Sequence, residues 1–182
     1  MPRPIGAFFL CNILIMTKMN QHEKFMKMAI QLSEENVLNN VGEPFGAVIV
    51  KDGKMIAKSA NKVTSTNDPT AHAEVSAIRI ACKKLKTFDL SGCVIYTSCE
   101  PCPMCLSAVY WAKIDTIYYA NTKQDAEYIG FSDKFIYDEL NKPMDQRKLP
   151  IQQMMRDEAQ QAFKLWKKKS FTNSLLSTTN NE

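Results

Sequence analysis

Two short motifs constrain this chain more than any other part of it: Thr70-Ala71-His72-Ala73-Glu74 and Cys99-Glu100-Pro101-Cys102-Pro103-Met104-Cys105. Alone, His-x-Glu and Cys-x-x-Cys are weak signals. In this order, each opening a helical stretch and parted by one helix and one strand, they demand a fold that delivers His72, Cys102 and Cys105 to one point. One imidazole and two thiolates give a tetrahedral ion three protein ligands and leave a fourth position for water, the arrangement of a catalytic zinc site. The expected cofactor is one Zn2+ per chain with a bound water or hydroxide. Thiols at a helix start meet the positive end of its dipole and deprotonate more readily. Glu74 can face the same cavity without ligating the ion, where a carboxylate can carry a proton from water to a leaving nitrogen. Two rival readings remain. A structural zinc site would take Cys99 as its fourth ligand and stabilise a binding module without catalysis; a redox dithiol would leave His72 and Glu74 without use.

The chain has six cysteines, three of them within residues 99–105. A secreted disulfide scaffold is shorter and spreads its cysteines among loops. The cluster therefore reads as a metal site in a reducing compartment, and the expected location is cytoplasmic. Cys82 and Cys93 read as small apolar residues. With 182 residues, 45% of them hydrophobic and 23% charged, the chain can bury a core without staples. Collagen, coiled coil, mucin and bulk disorder are excluded. A net charge of +4 does not argue for nucleic acid, and the one dense basic cluster, Lys164 with Lys167, Lys168 and Lys169, fits a helix end. Residues 5–16 form an apolar run too short to span a bilayer, which needs ~20 residues. No small-x-small cleavage site follows it. A weak signal or an added helix or strand competes there with the preferred reading, translated sequence ahead of a start at Met19.

Hydrophobic periodicity places the motifs on elements. Phe25, Met28, Ala29 and Leu32 recur at helical spacing and are followed by Gly42 and Pro44. Residues 45–50 and 55–60 flank Lys51-Asp52-Gly53-Lys54, an Asp-Gly hairpin signal. Val75, Ile78 and Cys82 mark a helix over 71–85, residues 93–97 a strand, and 104–112 a helix opening just after Pro101 and Pro103. Residues 116–120 form another strand, 122–142 are helical in pieces, 149–155 form a last strand and 157–169 a closing helix. The expected architecture is a three-layer α/β/α fold with a mixed five-stranded sheet and right-handed crossovers. The expected organisation is an extension over 1–18, a zinc domain over 19–169 and a flexible tail over 170–182.

The pattern H-x-E…P-C-x-x-C is the signature of zinc nucleobase deaminases. Beyond it, Pro44–Gly53, Asn67–Val75, Tyr96–Cys105, Tyr110–Ala112 and Gly130–Tyr137 make the chain resemble the guanine deaminases of the cytidine/deoxycytidylate deaminase-like superfamily. Of these, Gly-Phe-Ser-Asp-Lys-Phe-Ile-Tyr at 130–137 points to guanine. The resemblance implies hydrolysis of guanine to xanthine and ammonia. His72, Cys102 and Cys105 would hold zinc and Glu74 would shuttle protons. Asn61 would hydrogen-bond the purine, Phe45 and Trp111 would line or stack on it, Asp133 would accept from its N–H groups, and the backbone of Ala73 would read the base. It also implies a homodimer acting on a small purine. No membrane partner is expected, and nucleic acid is disfavoured because the lysines sit mainly on the last helix and Asp133 would repel a phosphate backbone. Taken alone, Phe45 fits a strand core better than a stacking role, Trp111 fits both equally, and Asp133 fits a helix cap. The nearest rivals are a guanosine deaminase and a tRNA adenosine deaminase. Residues before Met19 have no counterpart in the family, and the end after Lys169 departs from it.

Overall fold

A computed structural model describes the backbone over residues 5–179 and the side chains over 21–170. The side chains of residues 1–20 and 171–182, nearly all of the expected extension and tail, lie outside the described residues. Helix α1 (Ile5–Leu38) leads into the hairpin of β1 (Gly46–Lys51) and β2 (Lys54–Ala60). Asp52 and Gly53 take φ of 49° and 70°, the two left-handed residues that a type I′ turn needs and that Asp-Gly supplies. A single turn, α2 (Val63–Thr66), interrupts the expected loop before α3 (Ala73–Leu85). Strand β3 (Cys93–Cys99) pairs antiparallel with β1, and α4 (Pro103–Trp111) crosses over to β4 (Thr116–Asn121), which lies parallel to β3. The sheet order is β2-β1-β3-β4.

The layers follow from period-two alternation. In β1, Val48 and Val50 face α1 and pack with Phe25, Ala29 and Tyr96. Ala47 and Ile49 face the other way, joining Ile95, Cys93 and the alanine stripe Ala73, Ala77 and Ala81 of α3, with Val109 of α4. Small residues on that stripe let α3 lie close to the sheet. On the opposite face α1 sits directly on β1: a Cβ at Gly46 would fall 2.3 Å from the Ala29 carbonyl oxygen and 2.8 Å from Leu32 Cβ.

The three-layer α/β/α class is as expected, but the sheet has four strands, not five. Residues 149–155 stay irregular and exposed. Pro150 has no N–H to offer a ladder, and Met155 takes a left-handed φ of 52° that no strand accommodates. After β4 come α5 (Lys123–Tyr128), α6 (Lys134–Leu140), a 3-10 turn at Met144–Gln146 and α7 (Arg156–Thr179). The last outruns its expected end at Lys169. The chain forms two units, Met1–Tyr137 and Asp138–Glu182; the sheet and the site described next belong to the first.

Candidate active site

Both motifs sit where helices begin. His72 is the N-cap of α3, with extended backbone at φ −60° and ψ 157°. Cys102 is the N-cap of α4, at φ −64° and ψ 168°, with Pro103 opening the helix, a position that needs no N–H. Cys105 follows one turn in and is fully buried. His72 Nδ1 lies 3.6 Å from Cys102 Sγ and 3.5 Å from Cys105 Sγ, and the three ligand atoms all lie within 4.8 Å of one another. Zinc–sulfur and zinc–nitrogen bonds at tetrahedral angles separate S from N by about 3.6 Å. The triad therefore fits one zinc ion by distance as well as by donor type. Cys99 is not part of this group: its thiol donates to the Thr122 carbonyl at 3.5 Å, which removes the fourth ligand of a structural site.

The three groups perturb one another's protonation. Hydrogen bonds from Cys105 and His72 hold the Cys102 thiol down to about 4, while Cys105, which gives its proton to that sulfur, is pushed up. The sulfur of Cys102 in turn raises His72. Glu74, in the first turn of α3, is only 7% exposed. Burial lifts its carboxyl above the ordinary range, chiefly through lost hydration. A buried carboxyl beside a metal triad can serve as a proton-transfer group.

A cavity of about 290 Å³ opens on the triad. Of the sequence-derived residues, Phe45, Asn61, His72, Glu74, Cys102 and Asp133 line it. Asn61, 3% exposed, is oriented by accepting the Val63 N–H at its Oδ1, 2.9 Å away, which leaves its amide N–H groups for the cavity. Phe45 meets Phe131 edge to face, 5.3 Å between ring centroids. Asp133 directly precedes α6, its carbonyl accepting from the Ile136 and Tyr137 N–H groups, and desolvation raises its carboxyl. Ala73 is fully buried at the start of α3, where backbone N–H groups have no intrahelical acceptor. Trp111 is not brought to the cavity. It ends α4 and is 85% exposed, because nine residues of helix after Cys102 carry it roughly 13 Å along the axis.

Sequence reasoning missed Glu43, Glu100, Lys123, Phe131 and Ser132 in the lining. Phe131 and Ser132 lie inside the 130–137 stretch already singled out. Glu43 precedes Pro44 with no pattern to mark it, and Glu100 meets Lys123 at 3.9 Å only through folding.

A mixed sheet between helices, with His, Cys and Cys at two helix starts and a glutamate two residues past the His, defines a zinc-dependent deaminase domain. The chain belongs to the cytidine and deoxycytidylate deaminase family, whose zinc-binding region matches residues 19–121. Within that family it is 52% identical over 146 residues to guanine deaminase of Bacillus subtilis (strain 168), covering 80% of this chain and 94% of that protein. The crystal structure of Bacillus subtilis guanine deaminase superposes with a TM-score of 0.78, over 81% of this chain and 94% of that one. A tRNA-specific adenosine deaminase of Aquifex aeolicus is 42% identical over 99 residues, 54% of this chain and 64% of that protein.

Proposed function

We propose that the chain is a zinc-dependent aminohydrolase that converts guanine and water to xanthine and ammonia, with residues 19–169 as its working domain. The observation that carries the reading is the convergence of the His72, Cys102 and Cys105 ligand atoms beside buried Glu74, in a cavity also lined by Asn61 and Asp133. Likeness to the Bacillus subtilis guanine deaminase over nearly all of that protein supports the choice of purine.

Zinc, when bound, supplies a water able to act as a nucleophile at neutral pH. The chain's own residues do the rest. Glu74 takes a proton from the attacking water and gives it to the departing amino nitrogen, so C2 gains an oxygen as its bond to nitrogen breaks. Asn61 donates to an acceptor on the purine edge. Asp133 accepts from the adjacent N1–H and amino group, which no other standard base presents together with a neighbouring carbonyl. The Ala73 N–H supplies a backbone contact. Phe45, braced by Phe131, forms an apolar wall against the ring. Trp111 has no contact with the cavity of its own chain and belongs instead to the surface that would pair two copies.

A tRNA reading is favoured by relatives such as the Aquifex aeolicus enzyme, but four carboxylates, Glu43, Glu74, Glu100 and Asp133, line this cavity with one lysine, Lys123. A phosphate backbone needs the opposite balance. Purified protein loaded with zinc should release ammonia and xanthine from guanine, turn over guanosine more slowly and form no inosine in tRNA. Turnover of tRNA without turnover of guanine would replace the reading. Among the described residues no helix is long and apolar enough to cross a membrane. A cytoplasmic setting goes with the reading, since thiolate ligands and the unpaired Cys82 and Cys93 suit a reducing compartment.

A further inference from the structure

The stretch between α5 and α6 brings Phe131 and Asp133 to the cavity, yet neither helix has a buried residue. Apolar burial is what ordinarily holds a short helix on a domain, so this wall must be placed by other means. The edge-to-face contact of Phe131 with Phe45 is one tie. A second comes from the end of β3. There the Glu100 N–H donates to the Asn121 carbonyl at 2.8 Å, and the Cys99 thiol donates to the Thr122 carbonyl. Glu100 then adds its side chain. Its Oε2 accepts the Lys123 N–H at 3.2 Å, and its Oε1 lies 3.9 Å from the Lys123 ammonium. Lys123 is the first residue of α5, so its N–H has no acceptor inside the helix.

The tie continues beyond Lys123. Its ammonium sits over the Tyr137 ring, 5.1 Å from the centroid, and the Tyr137 N–H donates to the Asp133 carbonyl at 3.4 Å. Contacts thus run unbroken from Glu100, two residues before the ligand Cys102, to Asp133. An ion pair as exposed as that of Glu100 and Lys123 is weak by itself; a carboxylate on a free helix N–H is the stronger part of the tie. Glu100 lies outside the group that could hold the ion, and the reaction above makes no use of it. Resting on the guanine reading, we infer that Glu100 is a positioning residue: through Lys123 it fixes the α5–α6 wall to the zinc loop and sets where Asp133 meets the purine. Glu100 itself touches no reacting atom. It acts on binding through Asp133, while zinc and Glu74 keep the reacting centre.

The test is a double-mutant cycle on the zinc-loaded enzyme with guanine as substrate. Glu100→Ala should raise KM roughly 10-fold, the scale of one hydrogen bond to a charged group, with kcat nearly unchanged, as loss of uniform binding requires. Zinc content, measured by elemental analysis, should stay at one per chain. Glu100→Gln keeps an oxygen for the Lys123 N–H and should recover most of the affinity. In an Asp133→Asn background, where the contact being positioned is already weakened, Glu100→Ala should cost much less. If Glu100→Ala does not fold, Glu100→Gln in both backgrounds carries the same test with a smaller shift in the same direction. Loss of zinc would make Glu100 a support of the metal loop and overturn the inference. A fall in kcat at constant KM, an equal cost in both backgrounds, or no effect at all would overturn it too. A wild-type protein that does not deaminate guanine would overturn the functional reading, and this inference with it.

Discussion

Glu74 and the residues around it divide the work of the site by environment. A carboxyl 7% exposed and raised by burial stands two residues from His72, so a zinc ligand and the proposed proton carrier share one turn of α3. Glu74→Ala should retain zinc, measured by elemental analysis, and lose turnover by on the order of 10²–10⁴-fold; retained activity would remove Glu74 from the mechanism. Cys105→Ser should behave oppositely, losing zinc as well as turnover, because a hydroxyl is a poor replacement for a thiolate ligand. At this scale the triad and Glu74 were readable from two ordered motifs that match a known pattern, while their convergence from the starts of α3 and α4 needed the fold. Asn61, Phe45 and Asp133 were readable only through family resemblance. Trp111 lies outside the cavity of its own chain, because position along α4, not residue type, decides whether an aromatic reaches it.

Two connections in the fold carry consequences for stability. The approach of α1 to the sheet leaves no space for a methyl group at Gly46, and the Gly46 N–H is tied to Ser98 Oγ at 2.9 Å. Gly46→Ala should destabilise the fold by about 1–3 kcal/mol, read from denaturant midpoints. Before β3, Asp89 gathers Ser91 and Lys113: it accepts the Ser91 N–H at 3.0 Å and the Lys113 ammonium at 2.7 Å. These bonds, that of Lys113 first, hold its carboxyl below its usual 3.8. Below the usual value the unfolded chain binds more protons than the folded one, so stability rises with pH there. The contribution is complete above about pH 4 and is lost as pH falls through the lowered value. Asp89→Asn should flatten the acid limb of a Tm-against-pH curve and leave its neutral part nearly level. The hairpin, α3, β3, α4 and β4 were legible because Asp-Gly, proline and apolar period act locally. A fifth strand was not excluded, because residues 149–155 carry apolar side chains and only their backbone geometry rejects a ladder.

Across the whole molecule, zinc joins the starts of α3 and α4, so binding energy becomes folding energy. A chelator should lower Tm and added zinc should restore it; a Tm indifferent to metal would remove the ion from the fold. The surface adds a second demand. β4 pairs only with β3 among the described residues, and its Tyr118 and Tyr119 are 40% and 50% exposed. Tyr110 and Trp111 are more exposed still. An open edge beside exposed aromatics is a place for another chain, which favours the proposed homodimer. Light scattering should give twice the 20.7 kDa chain mass, and Trp111→Glu with Tyr119→Glu should shift it to one.

By itself the sequence determined the zinc ligands and the main elements from α1 to β4. The elements depend on neighbours within one helical turn or one strand, and the ligands were marked by two motifs whose order is a known pattern. Only the tertiary structure decided which distant side chains share the cavity. Glu43, Glu100 and Lys123 meet Asp133 there, and Trp111 does not, because such meetings depend on where helices end and how closely they pack on the sheet, and residue identity along the chain does not encode either directly.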